Sequence, residues 1–113
     1  MGVIGIVLKV LLGLVFLGAG GSKLAGAQQM VEMFDHFKYP RWFMYFTGAV
    51  EIVGALGVLV GILAPVLAVL GGLLLAATMV GAVFTHIRVK DSVSMMVPPG
   101  ILLVLSIAVI VSV

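Results

Sequence analysis

The sequence predicts an all-α membrane protein: a four-helix transmembrane bundle with a short amphipathic interfacial helix between the first and second spans. Three observations carry this. Of 113 residues, 64% are hydrophobic and 9% charged, whereas soluble domains run near roughly 45–50% apolar and 25% charged. Uncharged apolar runs recur at about the 20-residue length that crosses a hydrocarbon core of about 30 Å. The chain also holds 15 glycines, which let helices in a membrane approach backbone to backbone. So short a chain makes one domain, residues 1–113.

The first span covers about residues 2–22, with Lys9 close enough to its start for the side chain to snorkel to the interface. Small residues follow at Ala25, Gly26 and Ala27, but Lys23 interrupts the apolar approach and basic residues before the run are few, so a cleaved signal peptide is not expected. From Ile52 to Thr85 no residue is charged, and one helix of that length would measure about 50 Å at about 1.5 Å per residue. Pro65 therefore marks a turn, giving a second span at about 42–63 and a third at about 66–87. The fourth covers about 95–113, with a proline of the Pro98-Pro99 pair in its first turn, where a missing amide costs nothing.

Between the first two spans, AQQMVEMFDHF sets Met30, Met33, Phe34 and Phe37 at helical spacing, with Gln29, Glu32, Asp35 and His36 elsewhere on the wheel. This predicts a helix over about 28–38 lying at the headgroups, a surface on which a membrane or cytosolic protein partner could dock. Glu32, Asp35 and His36 on one lone turn lack the companions of helix-bundle metal sites, so no metal is expected. Tyr39, Trp42 and Tyr45 anchor the next span at the membrane boundary. Gly57 and Gly61 form a G-x-x-x-G pair that suits internal packing better than a homodimer. Lys23, Lys38, Arg41, Arg88 and Lys90 fall on one side of the membrane and Lys9 on the other, a bias that puts both termini outside.

The charge is too sparse and scattered for nucleic acid, and the absence of cysteine excludes disulfides and thiolate chemistry. The candidate site centres on Glu51, nine residues past Trp42 and so about 13 Å below the boundary. An ionised acid near a helix centre costs about 2.5–3.5 kcal/mol to insert, so Glu51 should face the interior, either protonated or in polar company, its charge state left open by the sequence. Thr47 lies one turn away on the same face; Thr78, Thr85 and His86 share a face of the third span, with Thr78 nearly level with Glu51 and placed for a hydrogen bond to it. Lys23 and His86 would stand at the mouth of a funnel with Glu51 at its base. That funnel suits binding of a quinone, a lipid or another apolar ligand; the alternatives are a proton-coupled exporter with Glu51 as carrier, and a structural protein in which Glu51 holds helices together.

GAGGSKL at 18–24, Pro40, GAVEIVG at 48–54 and His86 closing the third span resemble the DoxX-like family of small bacterial membrane proteins. The resemblance extends over nearly the whole chain and carries onto Gly20, Lys23, Pro40, Gly48, Glu51, Gly54 and His86. It implies a four-helix bundle in the bacterial inner membrane, related to a quinone-linked thiosulfate oxidoreductase subunit and to oxidative-stress membrane complexes. With no nucleotide or haem motif, any redox role would run through a bound quinone or a partner subunit, and independent catalysis is not expected.

Overall fold

The computed structural model describes residues 2–112 and is helical throughout its ordered elements: α1 (Val3–Leu24), α2 (Gln28–Phe37), α3 (Arg41–Val60), α4 (Pro65–Arg88) and α5 (Val93–Val111). All but α2 are long and apolar enough to cross a membrane. The long axis of 41 Å matches a bilayer with its headgroups, about 40–45 Å. The outer surface is what such a setting requires: Ile4, Leu14, Val53, Leu70 and Val104 all point outward with more than half their surface uncovered. In water such a surface would aggregate.

α1 packs on α3, α3 on α4, and α4 on α5, with a thinner contact from α5 back to α1 closing the ring. Leu12, Phe16, Ala55, Val58, Leu75, Met79 and Val109 fill the interior. Glycines set the closest approaches. A methyl group on Gly71 would lie 2.5 Å from the Gly54 carbonyl oxygen, and one on Gly61 would lie 2.4 Å from Cβ of Ala68, so α3 and α4 meet backbone to backbone near their connecting turn. The G-x-x-x-G pair is thus spent on α4 inside one chain. On the other side of α3, a methyl on Gly48 would lie 2.8 Å from the Gly20 carbonyl oxygen, which fixes the crossing with α1.

α2 rests on the loop-side end of the bundle, where Phe34 and Phe37 bury against Met44 and meet Met30, Tyr39, Phe43 and Val89. Three helices end there in the same way. Gly26, Lys38 and Lys90 adopt left-handed backbone at φ 68°, 63° and 61°, and the amides of Ala27, Tyr39 and Asp91 return to the carbonyls of Ser22, Phe34 and His86. This is the Schellman closure, which satisfies carbonyls that a helix end leaves free.

Several boundaries differ from expectation. α3 stops at Val60, and residues 61–64 make the turn; Pro65 is the first residue of α4, where its lack of an amide is harmless. α5 begins at Val93 because Ser92, with extended backbone, occupies the N-cap. Pro98 and Pro99 therefore fall in the second turn instead of the first, and the carbonyls of Ser94 and Met95 lose their i+4 amide donors. Lys9 overturns the snorkelling expectation: it is completely buried, because its position on α1 faces the bundle interior beside Leu12 and not the lipid.

Candidate functional site: a polar-floored cavity among the helices

Below the backbone contacts of Gly54 and Gly71, α3 and α4 no longer touch closely. A cavity of about 850 Å³ opens between them and extends under α2 to α1 and α5. Its walls are mostly aromatic and aliphatic, with Phe16, Phe34, Phe37 and Phe43 inside. Phe46 of α3 and Phe84 of α4 also line it while keeping 57% and 56% of their surface exposed, so the cavity wall reaches the lipid-facing surface of the bundle at both residues. Its volume lies within the roughly 300–1,000 Å³ of sites that enclose small molecules.

All six residues singled out in the sequence, Lys23, Glu51, Thr47, Thr78, Thr85 and His86, line this one cavity. Glu51 is 1% exposed and points into the bundle. Its partner is Lys23, with Nζ 2.8 Å from Oε1. The contact is an ion pair, and Oε1 receives no directed hydrogen bond among the described residues. Gly48 makes the pairing feasible: a side chain there would come within 2.9 Å of Lys23 Cβ, so its bare backbone is the path along which the lysine stem runs to Glu51 one turn away. A buried carboxylate needs such a cation, because an unpaired charge in a low-dielectric interior loses its hydration without return.

The expected Glu51–Thr78 hydrogen bond is absent. Thr78 donates instead to the Leu74 carbonyl at 2.8 Å, and Thr47 likewise to Phe43 at 2.8 Å. An i−4 carbonyl lies within reach of any helical threonine hydroxyl. Lys23 also does not stay at the mouth of a funnel; it reaches inward to the acid. A helix-end lysine has stem enough to do so when the reward is neutralising a buried charge.

At the loop-side end, His86 Nδ1 lies 2.6 Å from Asp91 Oδ2, and His36 Nε2 of α2 lies 2.8 Å from Asp91 Oδ1. An ionised carboxylate only accepts, so both ring nitrogens donate. These two bonds, that from His86 first, hold the Asp91 carboxyl below the ordinary aspartate range. Thr85 gives its proton to the Gly81 carbonyl at 2.8 Å, so the Tyr39 hydroxyl donates to Thr85 Oγ1 at 2.9 Å. Arg88 donates to the Phe37 carbonyl and lies 4.9 Å from the centre of the Tyr39 ring, tying α2 to the end of α4.

Sequence reasoning missed Asp91, Tyr39 and Arg88 as site neighbours. Asp91 carried a faint signal, as an acid five residues past His86, within reach only if the helix ends by the closure seen here. His36, which the sequence set beside Glu32 and Asp35, turns to Asp91 instead.

The fold and site define a multi-pass membrane protein whose helices enclose a lipid-facing cavity floored by a buried ion pair. The chain belongs to the DoxX-like family, whose model matches residues 7–109. It is 37% identical over 108 residues to “Uncharacterized protein YdgD” of Bacillus subtilis (strain 168), covering 95% of each chain. It is also 29% identical over 80 residues to “Putative oxidoreductase CatD” of the same organism, covering 71% of this chain and 57% of that one. No solved structure matches the chain.

Proposed function

We propose that this DoxX-like protein is an accessory membrane protein whose cavity takes an apolar molecule with one polar end, a quinone or a lipid, and serves a partner redox subunit. The single observation that carries this is the combination of an apolar cavity of about 850 Å³ with the Lys23–Glu51 pair in its wall. A protein that needed Glu51 only as a clasp between α3 and α4 would gain nothing from the surrounding space, and Glu51 makes its pair with α1. Entry runs laterally, between Phe46 and Phe84, so the ligand's apolar body never leaves a hydrocarbon environment. The name of the relative CatD supports a redox setting. The five basic residues of the loop side lie toward the cytoplasm, with both termini outside the inner membrane.

Native mass spectrometry of gently extracted protein tests this reading. A small apolar adduct should accompany the wild-type chain and be lost from Ala77→Trp, whose indole occupies the cavity. Wild-type protein with no adduct in any mild detergent, or an adduct indifferent to Ala77→Trp, would sink the proposal.

A further inference from the structure

The polar groups around the cavity have fixed hydrogen-bond directions, and their unused valences restrict the head that fits. A threonine hydroxyl has one proton. Those of Thr47 and Thr78 are committed to the Phe43 and Leu74 carbonyls, so both oxygens present only lone pairs to the cavity. Glu51, as the carboxylate paired with Lys23, accepts only. His86 commits Nδ1–H to Asp91 at the loop-side end. Pro98 and Pro99 deprive the Ser94 and Met95 carbonyls of their helix donors, and both residues line the same cavity. Tyr39 and Thr85 satisfy each other. Against these acceptors, the donor at the Glu51 end of the cavity is the Lys23 ammonium, whose Nζ lies 2.8 Å from Glu51 Oε1, while the Ser94 hydroxyl, paired with Ser92, belongs to the loop-side end.

We propose that the cavity selects a ligand whose head carries an O–H donor, namely a phenol, a hydroquinol or an alcohol, over the same molecule with only carbonyl or ether oxygens. The inference rests on the reading that the cavity holds a ligand, and it adds the chemical class. The O–H is donated to the oxygens at the Thr47–Glu51–Thr78 end, while a lone pair of the head accepts from Lys23. At the Thr47–Glu51–Thr78 end, a head with acceptors alone sets lone pair against lone pair except at Lys23. Leaving buried polar groups unmatched in this way is the asymmetry that makes hydrogen-bond patterns selective. For a quinone and quinol couple, the reduced partner is therefore the form retained.

A matched pair of probes isolates the donor: 4-hexylphenol and 4-hexylanisole, which differ in replacement of O–H by O–CH₃. Each protein in lipid nanodiscs is titrated with each probe, binding is read from the methyl resonances of Ala77 and Met79, which line the cavity and are untouched by the variants, and affinity is referred to the probe's mole fraction in the bilayer. We expect the phenol to bind at least tenfold more tightly. That preference should fall severalfold in the double variant Thr47→Val and Thr78→Val and be restored in Thr47→Ser and Thr78→Ser, which return the oxygens. Equal affinity for the two probes, or a preference unchanged in the valine variant, overturns the donor selectivity while leaving the cavity reading intact. Binding of neither probe, with resonances unmoved at saturation of the bilayer, overturns the cavity reading and the selectivity together.

Discussion

Replacing Lys23 by methionine removes the charge from the Lys23–Glu51 pair while keeping an unbranched apolar stem along Gly48. The consequence follows from the burial of the two partners. The Glu51 side chain is 2% exposed, and its contact with the ammonium is 2.8 Å. Stripped of that cation, the carboxylate stays in the interior, and breaking a buried pair from one side costs about 3–5 kcal/mol. Glu51→Gln is not the mirror image. The Lys23 side chain is 12% exposed and belongs to the last turn of α1, so the freed ammonium can swing out to loop-side water; the expected cost is about 1 kcal/mol, that of an ion pair whose remaining charge rehydrates. The double variant Lys23→Met, Glu51→Gln should then be more stable than Lys23→Met alone, since no charge is left stranded. Unfolding followed by circular dichroism in mixed micelles, with sodium dodecyl sulfate as denaturant, gives all three values as a double-mutant cycle. The reasoning fails if Lys23→Met costs less than Glu51→Gln, or if the two changes simply add.

Three further outcomes are expected. Gly48→Ala brings a methyl within 2.8 Å of the Gly20 carbonyl and 2.9 Å of Lys23 Cβ, so it should destabilise by about 1–3 kcal/mol through overpacking, measured in the same unfolding assay. The Asp91 carboxyl is held below its ordinary value of 3.8 by hydrogen bonds from His86 and His36; its hold on α2 is complete above that value and is lost as pH falls through the lowered one. Amide exchange in α2 at pH 6 should therefore rise in Asp91→Asn, and wild-type protein should show that faster exchange only in acid. Lys90→Gly removes a side chain from left-handed backbone at φ 61° and should stabilise by about 1 kcal/mol, read as a raised unfolding midpoint.

The four spans and α2 were legible because the signals behind them are long: apolar runs without charge, and one amphipathic period broken by aromatic anchors. Glu51 was legible for a different reason, since an acid in hydrocarbon has few reasons to exist besides a partner. Its partner was not. Level counting along two helices brought Thr78 to the height of Glu51, but a helical threonine prefers the carbonyl one turn back. Lys23 was set at the rim because depth was assigned by Cα position, and a lysine stem crossing a bare glycine displaces its charge well away from its Cα. Lys9 failed likewise in reverse: proximity to the chain start says nothing about which face of α1 a residue occupies. The spacing of His86 and Asp91 left a faint signal, but the bridge from Asp91 to His36 left none, since it depends on α2 folding back against the α4–α5 turn.

The central claim is that hydrocarbon enters the bundle between Phe46 and Phe84 and reaches the polar floor. Intermolecular nuclear Overhauser effects between acyl-chain protons of the nanodisc lipid, or of a bound apolar molecule, and protein methyl groups test it most directly. Cross-peaks should appear at the Thr78 methyl, which lines the cavity, and be missing at the Ala55 methyl, which is sealed in the core. A Thr78 methyl as silent as Ala55 would mean that nothing apolar reaches the buried pair, contradicting the account.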